Sequence, residues 1–159
     1  DKALRLLQGN DVEVILVKYI HFIGIMSVMA SLVAEHLLVT RETSPPQLQR
    51  LFVINVIYVV SLGLVLLSGL LMWFQVGLKP VEYYSSNWLF HLKLTIFVVI
   101  ALLGIHPTRV FSKNRRSDED TITMPKSVVM VIRLELLLLL VLPLLAVLMT
   151  RGYGLIVPN

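Results

Sequence analysis

VEVILVKYIHFIGIMSVMASLVAEHLLV, residues Val12–Val39, carries Glu13, Lys18, Glu35, His21 and His36 as its only ionisable groups apart from Tyr19. A crossing of the hydrocarbon core needs about 20 predominantly apolar residues, and this stretch is long enough to provide one. Three further runs of the same character follow at about 51–76, 88–111 and 127–150. Together they account for most of a 159-residue chain that is 57% hydrophobic and only 15% charged. Its mean hydropathy of +0.82 lies outside the range of ordinary soluble domains. The expected fold is therefore all-α, a transmembrane four-helix up-down-up-down bundle forming a single integral membrane domain. Any chemistry must then take place in or beside the lipid bilayer.

The connections carry helix start and stop signals. Asn10 with Glu13 reads as a capping box opening the first span. Ser44-Pro45-Pro46 offers a cap followed by first-turn prolines before the second. Asn87 can cap the third span, Pro125 can open the fourth, and Gly152 and Gly154 close it. Residues 1–9 place Leu4, Leu6 and Leu7 beside Lys2 and Arg5, which suits a short interfacial helix or a flexible terminus.

With four spans, the termini and the 77–87 loop share one side, and the 40–50 and 112–126 loops share the other. Arg41, Arg50, Arg109, Lys113, Arg115, Arg116 and Lys126 load the second side with positive charge. Lys2, Arg5, Lys79 and Arg151 lie on the first. The positive-inside rule then places the termini outside a bacterial inner (cytoplasmic) membrane. Lys18 and Lys93, near the outer ends of their spans, narrow the margin. The net charge of +4 is accounted for by this loop bias and gives no argument for nucleic acid. The basic pair Arg115-Arg116 is followed by Asp118-Glu119-Asp120, a solvated loop of mixed sign. The absence of cysteine excludes disulfides, thiol catalysis and iron–sulfur clusters.

Four histidines, His21, His36, His91 and His106, all fall in or beside the apolar runs. An ionisable side chain in hydrocarbon is costly unless paired or ligating, so each is a functional candidate. The first and third spans run in the same direction and face each other diagonally in the expected bundle. His21 and His91 then lie at one depth and His36 and His106 at another. Each pair could ligate a haem iron. The 15-residue spacing within each helix gives about 22 Å of rise, enough to stack two macrocycles. The same spacing overshoots four turns by about 60°, and Pro107 disfavours helical geometry at His106. The outer pair, His21 with His91, is thus the better ligand pair. Hydrogen bonding within the bundle is the alternative for every one of the four.

Lys18 lies one turn before His21, and Lys93 two residues after His91. Both can snorkel to the interface, or neutralise acidic groups of a bound cofactor such as porphyrin propionates. Arg133 and Glu35 should lie at similar depths and are expected to pair across the bundle, with a proton relay as the alternative. Gly24, Ser27, Ser31 and Ala34 form a small-residue stripe for close helix packing, and Gly63 and Gly69 are expected to do the same. Tyr83, Tyr84 and Trp88 read as an aromatic belt. The six methionines are scattered, without the clustering a copper site needs.

Several motifs together resemble a known family. They are Lys18-Tyr19-Ile20-His21-Phe22, then Tyr83-Tyr84 with Asn87, Phe90 and Lys93, then Pro107-Thr108, and Arg133-Leu134-Glu135. This set is similar to the bacterial membrane proteins grouped as domain of unknown function 2214. More distantly, Lys18 with His21, and Trp88, His91, Lys93 and Leu94, resemble HemJ-type protoporphyrinogen oxidases, with copper-resistance protein D as a further relative. The HemJ resemblance implies haem b, with His21 as the ligand and His91 and Lys93 at matching motif positions. The spacing of the second histidine in span three, and the presence of His36, depart from that pattern and put the oxidase activity in doubt.

The leading expectation is a membrane protein carrying electrons through one or two haem b groups, bis-histidine ligated between the first and third spans. Quinone or a redox protein complex would be its partner. Two alternatives stand beside it: a HemJ-like porphyrinogen oxidase, and a non-catalytic accessory subunit of a larger membrane complex. The sequence leaves oligomeric state and enzymatic activity open.

Overall fold

A computed structural model describes residues 2–75, 81–117 and 119–155, with side chains from residue 11 onward. Lys79 and Asp118, and the side chains of Lys2, Leu4, Arg5, Leu6 and Leu7, lie outside the described residues. Four long helices dominate: α1 (Lys2–Leu38), α2 (Pro45–Phe74), α4 (Trp88–Asn114) and α5 (Lys126–Thr150). Between them come β1 (Glu42–Thr43), the short α3 (Val81–Ser85) and β2 (Ile122–Thr123). All four long helices are long and apolar enough to cross a bilayer. Much of their apolar surface points outward, including Val60, Leu67, Leu102, Leu137 and Leu140. In water such a surface would be an aggregation hazard; in lipid it is the solvated face. The protein is an all-α, multi-pass membrane bundle.

α1 packs along α2 and α4 along α5, while α1 also meets α5 and α2 also meets α4. Each helix therefore neighbours two others, and α1 and α4 stand at opposite corners. The buried face of α2 explains how the bundle closes. Leu48, Leu51, Asn55, Tyr58, Ser61, Val65 and Ser68 recur at steps of three and four, the spacing of one inward stripe. α5 contributes Val128, Ile132, Glu135 and Leu139 in the same rhythm. Gly24 lets α1 approach α2 closely, since a Cβ there would stand 2.8 Å from Val65 Cγ2. Gly63 does not share that role: it is exposed, and a Cβ there would meet nothing.

Each end of the bundle is tied across its loops. At one end β1 pairs antiparallel with β2, setting Glu42 opposite Thr123, and Met124 N donates to Arg41 O at 2.9 Å. This joins the 40–50 and 112–126 loops on a single face, here called the β end. At the other, terminal end, Asn87 caps α4 by accepting from Leu89 N at 2.9 Å. Its amide also donates to Tyr153 O at 3.1 Å. Gly152 and Gly154 close α5 with φ of 85° and 86°, left-handed values that favour glycine.

Two helix boundaries depart from the sequence reading. α1 runs unbroken through Asn10, so Asn10 and Glu13 do not open a helix. A capping box marks a start only where the preceding chain leaves helical geometry, and residues 2–9 are already helical. α4 likewise continues through Pro107 to Asn114. Proline removes the amide that would bond to Leu103, but a transmembrane helix tolerates this where nearby hydroxyls and neighbouring helices compensate. Thr108 Oγ1 donates to Gly104 O at 2.7 Å just beside the gap.

Candidate functional site

Two carboxyl groups lie at the centre of the bundle. Glu35 on α1 and Glu135 on α5 are both fully buried, at 0% exposure. Asn55 Nδ2 donates to Glu35 Oε1 at 3.0 Å, and Tyr58 Oη donates to Glu135 Oε1 at 2.6 Å. Both donors lie on α2, three residues apart, so only about 4.5 Å of helix rise separates them. They hold the two acids at neighbouring levels. The fourth helix supplies room. A Cβ at Gly104 would come within 2.7 Å of Tyr58 Oη and 3.0 Å of Glu135 Oε1. The remaining oxygen of each acid, Oε2, is buried with no hydrogen-bond partner among the described residues.

The expected Arg133–Glu35 pair does not form. Glu35 bonds to Asn55, while Arg133 is exposed on the opposite side of α5. Arg133 and Glu135 are two residues apart, about 200° around a helix, so turning Glu135 into the core turns Arg133 out of it. Among the described residues no lysine or arginine makes an ion pair with either acid. Asn55 and Tyr58 were not singled out in the sequence, although a lone amide inside an apolar span was a visible signal.

The histidines occupy four separate settings. His21 is half-buried on α1, and its Nδ1 lies 2.9 Å from Ser68 Oγ and 3.1 Å from Val65 O, both on α2. The Val65 carbonyl can only accept, so the proton of the ring belongs on Nδ1 and Nε2 keeps its lone pair. Gly69 faces the ring edge: a Cβ there would lie 3.4 Å from His21 Cε1. Lys93 on α4 is half-buried. Lys18 is exposed.

His91 is exposed, with Nε2 placed 2.8 Å from Ser85 O at the terminal end. His106 is exposed, with Nε2 2.9 Å from Ser127 Oγ at the start of α5. His36 is half-buried, and its Nδ1 has no hydrogen-bond partner among the described residues. Three of the four rings are thus held by three different elements.

His21 fits the requirements of a haem ligand on its own. An axial histidine donates its other ring N–H to a carbonyl or similar acceptor, which fixes ring and tautomer. The Val65–Ser68 contact on Nδ1 does this and leaves the lone pair of Nε2 free of that contact. His91 has the reverse arrangement, with Nε2 engaged by a carbonyl. No group of three or more histidine, aspartate or glutamate side chains able to hold a metal ion occurs among the described residues.

Around the terminal end, Trp73 stacks on Phe74 and meets Phe90 edge-on at 4.8 Å, and Tyr84 lies 5.6 Å from Phe90. Tyr83 Oη donates to Met149 O at 3.3 Å. The expected aromatic belt therefore partly packs inward, with Trp88 exposed. No curated protein and no solved structure matches the chain. Residues 13–154 match the profile of a family described as "Predicted membrane protein (DUF2214)".

Proposed function

The chain belongs to the DUF2214 family of membrane proteins, and we propose that it handles protons inside the bilayer at the Glu35–Glu135 pair. The observation that carries this reading is the incomplete bonding of two fully buried acids, each with one oxygen held by a neutral donor and the other unpartnered among the described residues. Two ionised carboxylates side by side in a dry core, with no cation paired to them, cost far more than one proton shared between them. A carboxyl that gains a proton becomes a donor and can satisfy its own orphaned oxygen. A metal cation fits less well, since hard cations ask for six or more oxygen ligands. In this reading the proton moves from the carboxyl of one glutamic acid to the carboxylate of the other, and charge is conserved within the pair. Asn55 and Tyr58 hold the two acceptor oxygens in place.

Infrared spectroscopy in lipid nanodiscs tests it. The wild type should show the carbonyl stretch of a protonated carboxyl in a dry site, shifted in deuterium oxide and lost in the Glu35→Gln, Glu135→Gln double variant. A neutral-pH spectrum with both groups ionised would overturn the reading.

A second reading is favoured by the His21 ring: haem b held through His21 Nε2, with the half-buried Lys93 as a candidate partner for propionates. When bound, the haem would supply one-electron redox chemistry, exchanged with quinone or a membrane redox complex. His21 would fix the cofactor and its tautomer would be set by Val65. His91, His36 and His106 enter only if a second ligand or a second haem is present. The basic β end would face the cytoplasm of a bacterial inner membrane and the termini the outside. A pyridine haemochrome assay on natively expressed protein decides this: haem present and lost in His21→Ala supports it, and its absence from folded wild type sinks it. Two haems per chain would bring the inner histidines back.

A further inference from the structure

At the β end, a cleft of about 340 Å³ is lined by Arg41, Met124, Lys126, Val129, Met130 and Arg133. Four of these lie on one face of α5. Lys126 is its first residue, Val129 and Met130 follow one turn on, and Arg133 one turn beyond them. From Lys126 to Arg133 the stripe descends about 10 Å, comparable to the depth from headgroup to acyl chain. Arg41 flanks it from the loop that also accepts the Met124 amide. The walls are thus three cations above and between apolar side chains.

None of the three cations forms an ion pair among the described residues, and all three are exposed. For Arg133, inside a membrane-spanning helix, this is an unusual condition. A guanidinium at that depth must either snorkel or meet an anion. Arginine and lysine together suit phosphate oxygens, the first as a planar fork and the second as a point charge. Val129 and Met130 give the lower cleft an apolar wall, which a free phosphate would have no use for and an acyl chain would cover. Methionine is well suited to such a contact because its flexible thioether adapts to an irregular chain.

We propose that this cleft is a binding site for the headgroup of an anionic phospholipid. The phosphate is held among Arg41, Lys126 and Arg133, and one acyl chain lies along Val129 and Met130. The site is separate from the Glu35–Glu135 pair, which α5 turns to the opposite side.

Native mass spectrometry of the detergent-solubilised protein, titrated with phosphatidylglycerol or with phosphatidylcholine, tests the proposal. The wild type should hold phosphatidylglycerol selectively. The Lys126→Gln, Arg133→Gln double variant should weaken that binding about 20- to 30-fold, at roughly a fivefold loss per basic residue. An Arg109→Gln, Lys113→Gln, Arg116→Gln control removes three exposed cations from the same end and should keep it. Equal binding of both lipids overturns the proposal, as does an equal loss in the control, which would mean a diffuse surface attraction. Displacement of the lipid by millimolar inorganic phosphate would instead assign the site to free phosphate. Unchanged helical circular dichroism in both variants ensures that any loss reports on binding.

Discussion

His21 lies in the terminal half of α1 and Glu35 in its β half, and the bundle treats them differently. His21 is half-buried and satisfied through a carbonyl and a hydroxyl on α2. Glu35 is fully buried and has one oxygen left without a partner among the described residues, as has Glu135. The contrast follows from chemistry. A neutral imidazole has one donor and one acceptor, and a helix backbone can meet the donor. A carboxylate has only acceptors, and a membrane helix has almost no free N–H to offer it. The terminal half therefore holds a neutral group whose donor is met, whereas the β half holds two acids whose second oxygens are not met among the described residues.

The strongest way to break this contrast is at Gly104. Gly104→Leu should destabilise the protein by about 3 kcal/mol, because the new side chain meets Tyr58 and Glu135 directly. Gly63→Leu, which points into open space, should change little. Unfolding by titration with a denaturing detergent in mixed micelles compares the two. Equal costs would show that Gly104 is not the wall of the carboxyl pair.

Next in size is Tyr58→Phe. Removing the hydroxyl strips Glu135 of its donor and should cost about 1–2 kcal/mol in the same titration. His21→Phe should cost less, about 0.6 kcal/mol, the average for hydrogen bonds between membrane helices. If His21→Phe proved the more damaging of the two, the terminal half would be the more constrained, and the order of the regions would reverse.

How far each region was legible depends on what decides it. The helix ends at Asn87, at Pro45 and at Gly152 and Gly154 were readable because local residues fix the local backbone. Depth follows from counting residues along a span. The direction in which each side chain points around its helix was harder, and the site depends on it. The stripe Val128, Ile132, Glu135, Leu139 on α5 contains Glu135 and leaves Arg133 out, and its spacing was present in the sequence. Reading Arg133 and Glu35 by depth alone paired two residues that face apart. The histidines posed the same difficulty: equal depth suggested facing pairs, but His91 turns to Ser85 and His106 to Ser127. Asn55 and Tyr58 were obscured by the strong apolar signal of the span around them. The pairing of β1 with β2 involves two residues on each side, too few for any periodicity to announce.

A last pair of substitutions separates the two ends of the bundle as the earlier ones separate its two halves. Asn87 and Ser44 both precede a long helix and both have residue types favoured for capping. Only Asn87 uses its side chain, bonding Leu89 N and Tyr153 O and thereby tying α4 to the turn after α5. Ser44 makes no side-chain cap bond, and Pro45 and Pro46 relieve α2 of two of the amides a cap would serve. Asn87→Ala should therefore cost about 1 kcal/mol, and Ser44→Ala should leave stability unchanged within error. Hydrogen exchange sharpens the difference. Asn87→Ala should speed exchange at Leu89 and at Trp88, whose amide is bonded to Gly154 O, because the two terminal-end segments lose their joint. Ser44→Ala should leave the β end as protected as before, since β1–β2 pairing, the Met124–Arg41 backbone bond and the bond from Gln47 Nε2 to Leu38 O hold that end without the serine side chain. Loss of protection at the β end in Ser44→Ala would mean that its loops depend on the serine, and that the two ends are built on the same principle after all.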